Sequence, residues 1–174
     1  MGVLTTLEAE CKDCYKCVRA CPVKAIKINT GHAQIWDERC ILDGTCISVC
    51  PQHAKQVRND LPRVQTLLAK GETVVASLAP SYVAAFDVPD PNCLAAALRS
   101  LGFSYVAETA IGAEVVAAAH KTCVKMGQGP WITSSCPTVV NLIEKHYPEA
   151  RQYLAPVVSP MVARSQPLAA NDAA

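Results

Sequence analysis

Residues 11 to 22 read Cys-Lys-Asp-Cys-Tyr-Lys-Cys-Val-Arg-Ala-Cys-Pro, and residues 40 to 51 read Cys-Ile-Leu-Asp-Gly-Thr-Cys-Ile-Ser-Val-Cys-Pro. Pairs of intervening residues let successive thiolates wrap one face of an iron-sulfur cubane from a short turn. Three more residues carry the next thiolate out of reach, toward a neighbouring cluster. Ligation therefore crosses over. One cluster is expected on Cys11, Cys14, Cys17 and Cys50, and a second on Cys21, Cys40 and Cys46, with Asp43 standing where the repeat calls for a cysteine. Crossed ligation constrains the fold more than any apolar pattern could. A stretch of ~60 residues can be stable here because metal takes the place of a hydrophobic core.

Disulfide and zinc readings fit less well. The amino terminus, Met-Gly-Val-Leu-Thr-Thr-Leu-Glu, has no basic region and no apolar run of signal length, so a secreted disulfide scaffold is not expected. Zinc sites use separated Cys-x-x-Cys pairs, whereas here a triplet closed by Cys-Pro is repeated. The run resembles that of bacterial two-cluster ferredoxins, which implies an α+β ferredoxin-like domain and one-electron transfer.

Asp43 has two readings. A carboxylate oxygen is a harder ligand than thiolate and would hold iron more weakly. Alternatively, Asp43 and Gly44 form an ordinary Asp-Gly surface turn away from metal. Three states of the second cluster stay open: a 4Fe-4S with mixed ligands, a 3Fe-4S, or a 4Fe-4S completed from outside.

Seven of the 10 cysteines precede residue 51, and the chain of 174 residues then turns rich in Ala, Val and Leu. The expected organisation is a two-cluster domain over 1–60, a packed lobe over 61–165 and a disordered tail over 166–174. A formal net charge of +1, without blocks of like charge, gives no reason to expect nucleic acid or an anionic membrane as partner. Apolar runs fall far below the ~20 residues of a membrane span. Clusters and free thiols persist best in a reducing cytoplasm, which is the expected location.

Beyond residue 61 the pattern alternates. Thr73 to Leu78, Tyr105 with Val106, and Trp131 to Thr133 read as strands. Asn92 to Leu101, Gly112 to Met126 and Val139 to His146 read as helices, with Asn92 as a cap. The order βαβαβα predicts an α/β partial parallel sheet with right-handed crossovers. It puts Cys136 at the carboxyl edge of the third strand and the start of a helix, where the dipole favours a thiolate. Cys93 and Cys123 are expected to be buried in helices. His32, His53, His120 and His146 share no metal spacing and are not assigned as ligands. Gly127-Gln-Gly129 lacks the context of a nucleotide fingerprint, which excludes NAD.

The stretch Trp131 to Pro148, containing Thr-Ser-Ser-Cys-Pro, resembles the first cluster motif of FeFe hydrogenases, typically Thr-Ser-Cys-Cys-Pro. The resemblance extends through Leu98 to Thr109, Ile111 to Glu114 and Val158 to Met161, covering about residues 72 to 164. It implies that Cys136 matches one ligand of the 4Fe-4S half of the H-cluster. The later motifs, of the types Met-Pro-Cys-x-x-Lys and Ala-Cys-x-x-Gly-Cys, do not occur in this sequence. A complete H-cluster is therefore not expected, and the lobe reads as incomplete.

Ser135 stands where productive members carry a proton-donating cysteine, and a hydroxyl is far less acidic than a thiol. Ala117, His120 and Ala155 lie near other relay positions of the family, so the resemblance is to its sensory or slow branches. The leading expectation is an electron-transfer protein, not catalytic alone, that works with a redox partner of ferredoxin type or a hydrogenase subunit. The alternatives are a hydrogenase subunit whose partner chain completes the H-cluster, and a hydrogen or redox sensor fragment. A partial sheet also predicts an unpaired edge open to self-association.

Overall fold

In the computed structural model, residues 2–88, 90–127 and 129–171 are described. The first elements are β1 (Leu4–Thr6), a 3-10 turn at Glu8–Glu10, α1 (Lys16–Ala20), β2 (Ile26–Asn29), β3 (His32–Ile35), α2 (Thr45–Ser48) and β4 (Lys55–Val57). There follow α3 (Leu61–Ala69), β5 (Val75–Leu78), α4 (Tyr82–Ala85), α5 (Pro91–Ser100), β6 (Tyr105–Glu108) and α6 (Thr109–Lys125). The chain closes with α7 (Pro137–His146), a 3-10 segment at Pro148–Tyr153 and α8 (Pro160–Asn171). It divides into two compact units, one of residues 1–59 with 136–154, the other of 60–135 with 155–174.

The first unit has two small antiparallel sheets, β1 with β4 and β2 with β3. Its buried cluster comprises Leu4, Cys17, Cys21, Ala25, Ile26, Ala33, Cys40 and Cys46. Half of that set is cysteine. Such a core supplies little apolar burial of its own and makes sense only if the thiols are bound to something. The helix α7 belongs to this unit through four bonds. Thr138 Oγ1 donates to the Leu42 carbonyl (3.2 Å), Lys145 Nζ to the carbonyls of Asp37 (2.9 Å) and Cys40 (2.7 Å), and His146 Nε2 to that of Arg39 (2.8 Å).

The second unit contains one parallel pair, β5 with β6, in register Val75 to Tyr105 through Leu78 to Glu108. The expected third strand is absent among the described residues, so the βαβαβα sheet is corrected to a two-stranded one. The cause is local. Pro130 offers no N–H to a ladder, the Trp131 indole turns back to donate to the Cys123 carbonyl (2.9 Å), and the Ile132 carbonyl takes the N–H of Ala155 (2.9 Å). Ile132 is left as a single bridge residue and does not extend into a strand beside β5 and β6.

Helix starts also differ from expectation. Asp90, not Asn92, caps α5, since Pro91 occupies the first helical position and Asp90 Oδ1 accepts from the Asn92 N–H at 2.9 Å. Helix α6 begins at Thr109 and carries Gly112 through its contact with α8, where a Cβ would collide with the Pro160 carbonyl oxygen. Residues 166–171, expected as tail, continue α8 in spite of Pro167 within that stretch; residues 172–174 lie outside the described residues.

Candidate metal centre

The two ligand runs adopt one backbone path twice. Asp13 (φ +51°) corresponds to Leu42 (φ +64°), Tyr15 (φ +54°) to Gly44 (φ +78°), and Lys24 (φ +52°) to His53 (φ +54°). Left-handed conformations cost a non-glycine residue roughly 1–2 kcal/mol each, so five of them in matching places mark a turn geometry held by what it surrounds. Backbone N–H groups point at sulfur: Ala25 N to Cys21 Sγ (3.2 Å) and Leu42 N to Cys40 Sγ (3.4 Å). Cys17, Cys21, Cys40 and Cys46 are buried, while Cys11, Cys14 and Cys50 are half-buried.

Charge coupling crosses between the runs. Burial pushes the Cys17 thiol up, with Lys55 opposing and Cys50 adding to the rise. Burial likewise raises Cys40, opposed by the Leu42 N–H and assisted by Cys21. Cys17 is thus within electrostatic reach of both Cys50 and Cys46, and Cys40 of Cys21. Burial pushes Cys46 up to about 11, with Cys40 and Asp43 contributing. At Cys50 burial also raises the pKa, but the N–H groups of Ala54, Gln52 and Lys55 outweigh it and the net shift is downward. Buried thiols do not ionise side by side without cations. A set of soft sulfur donors with N–H groups aimed at them fits iron-sulfur clusters, whose irons supply that charge.

Asp43 is exposed, and the Thr45 hydroxyl donates to its Oδ2. Its charge nonetheless raises both Cys40 and Cys46, so the carboxylate sits in their electrostatic reach while occupied by a local hydrogen bond. One grouping has no signal in the sequence: Cys11 Sγ donates to Asp13 Oδ1 (3.4 Å), and His32 Nδ1 lies 3.1 Å from the same oxygen. His32 arrives from β3, and no spacing links it to the ligand run.

Cys136 is exposed and is the N-cap residue of α7. The N–H groups of Val139 and Thr138 hold its thiol below the ordinary value. Cys123 is buried as expected, but Cys93 is exposed, because α5 turns that face outward. In the second unit, His120 Nε2 and Arg164 Nε are buried without a hydrogen-bond partner among the described residues.

Comparison with known proteins divides the chain differently, placing residues 136–154 with the second part. Residues 10–54 match the model of a 4Fe-4S dicluster domain, and residues 72–170 match that of the iron only hydrogenase large subunit, C-terminal domain. The chain is similar to iron hydrogenase 1 of Clostridium pasteurianum, 29% identical over 90% of this chain and 32% of that protein. It is also similar to the cytosolic Fe-S cluster assembly factor NAR1 of Yarrowia lipolytica, 28% identical over 70% of this chain and 27% of that one. A third similarity, to a component of the ion-translocating oxidoreductase complex of Methanosarcina acetivorans, is 38% over 32% of this chain and 21% of the relative. The chain thus spans a third or less of each of these three proteins. Among the described residues no helix is long and apolar enough to cross a membrane.

Proposed function

Because the chain belongs to the iron-only hydrogenase large-subunit family, we propose that it is an iron-sulfur electron carrier, a two-cluster domain over 1–60 joined to an incomplete catalytic lobe over 61–165. The observation that carries the reading is a buried cluster half of which is cysteine, supplied by two runs that repeat one backbone path. One cluster is assigned to Cys11, Cys14, Cys17 and Cys50. The other takes Cys21, Cys40 and Cys46, with Asp43 or an outside ligand at the last iron. The clusters, when bound, supply one-electron chemistry; the protein contributes the N–H groups aimed at sulfur and the burial that sets solvent access.

Cys136, a match to one H-cluster ligand, lacks the companion motifs in this sequence, so catalysis by the chain alone is not expected. Buried His120 Nε2 and Arg164 Nε without partners support the same view, since such atoms are normally satisfied in a complete lobe. Exposed Val115, Val124, Met126 and Met161, with an unpaired parallel strand pair, favour a second reading: a partner chain covers this lobe and completes the site. A reducing cytoplasm suits either reading.

Iron and sulfide content with EPR of the oxidised and reduced protein tests the proposal. About eight irons support two full cubanes and about seven support loss at the Asp43 corner. Zinc in place of iron, or hydrogen turnover by this chain alone after reconstitution, would sink it.

A further inference from the structure

The two halves of the metal centre match residue for residue beyond their cysteines. Cys21-Pro-Val-Lys-Ala25-Ile26 corresponds to Cys50-Pro-Gln-His-Ala54-Lys55. Ala25 and Ala54 are each 1% exposed. Each offers its carbonyl to a single backbone N–H, from Trp36 and from Leu7, both at 2.8 Å. The next residue begins a strand in each half, β2 at Ile26 and β4 at Lys55. Apolar Ile26 is 8% exposed, yet at the same place in the other half stands a lysine that is 2% exposed.

A buried ammonium is costly unless bonded and electrostatically balanced. Lys55 Nζ donates to Thr6 Oγ1 (2.6 Å) and to the Ala33 carbonyl, which satisfies its protons but not its charge. Ala33 belongs to the same buried cluster as Cys17, Cys21, Cys40 and Cys46, so the ammonium sits against the cysteine core that serves both ligand sets. Iron-sulfur clusters held by thiolates are net anionic, and reduction adds one more negative charge to each. A fixed cation beside them favours the reduced form.

We propose that Lys55 is a buried cation shared by the two clusters, placed where the other half carries Ile26, and that it raises the reduction potential of both. The inference rests on the two-cluster reading. It gives Lys55 a positioning role toward the clusters, distinct from ligation.

The test is a potentiometric titration followed by EPR on the full chain, after iron and sulfide counts have established that both clusters are present. A wrong cluster content sinks the two-cluster reading, whereas correct content with unmoved potentials sinks the role of Lys55. Lys55→Gln and Lys55→Met are expected to lower the equilibrium constant for reduction of the clusters by about tenfold, about 59 mV for a one-electron couple. Lys55→Arg, which keeps the charge, and Thr6→Val, which removes only a hydrogen-bond partner, are expected to leave both potentials near wild type. The proposal is overturned if either neutral variant holds both clusters at unchanged potential, or if Thr6→Val shifts them as far as Lys55→Gln. Loss of clusters from both neutral variants while Lys55→Arg keeps them also overturns it, because the charge would then serve assembly.

Discussion

Thr45 gives its hydroxyl to the carboxylate of Asp43, two residues away within the second ligand run, at the position matched in the first run by Cys14. A carboxylate engaged in this way is a weaker and harder partner for iron than a thiolate. Replacing it, Asp43→Cys, should make the second cluster keep its fourth iron. Loss of iron under chelator is expected to slow on the order of tenfold, read by metal analysis and EPR. Equal loss rates in variant and wild type would show that this position does not govern the iron.

Iron removal should unfold one unit selectively. Half of the buried cluster of the first unit is cysteine, so stripping iron under reducing conditions removes most of what holds it. Hydrogen exchange followed by mass spectrometry should show lost protection in residues 2–59 and in α7, with α6 still protected. Uniform loss, or none, contradicts the division.

Gly112 lets α6 and α8 approach. Gly112→Ala gains about 1 kcal/mol of helix propensity, but its Cβ would collide with the Pro160 carbonyl oxygen and crowd Arg164 at 3.1 Å. Backbone cannot yield as a side chain end can. The clash wins, and net destabilisation of about 1–3 kcal/mol is expected in urea denaturation of the second unit.

The reactivity of Cys136 should report its lowered pKa. The thiolate is the nucleophile, and the N–H groups of Val139 and Thr138 stabilise it in the folded state. A lowered pKa moves ionisation to lower pH. Alkylation of Cys136 in the iron-loaded protein, followed by peptide mass spectrometry, should therefore reach half its maximal rate below pH 9.0, the ordinary thiol value. Urea should return the midpoint toward that value.

The proposed metal centre is read from the sequence because its cysteines are local: spacing sets the turns, whose repeated backbone path the structure shows, and the crossed assignment is the proposal drawn from the length of each run. Helix α7 and strands β5 and β6 are legible from apolar period and flanking Pro or Gly. Other features depend on partners distant in sequence. The strand expected at Trp131 to Thr133 shrinks to one bridge residue, Ile132, whose carbonyl takes the N–H of Ala155, a partner distant in sequence. Lys55 looks like a surface lysine until β1 and β3 bring Thr6 and Ala33 to it. His32 meets Asp13 only through the turn of β2 into β3.

The attachment of α7 to the first unit has a consequence for the order of synthesis. Lys145 bonds to the Cys40 carbonyl across 105 residues of chain. During translation all seven ligand cysteines emerge long before the helix that later bonds to the second run. The nascent chain therefore passes through an interval in which the carbonyls of Asp37, Arg39, Cys40 and Leu42 lack their bonds from α7. Arrival of residues 136–154 ends the interval, so the first unit cannot reach its full set of bonds until most of the chain has been made.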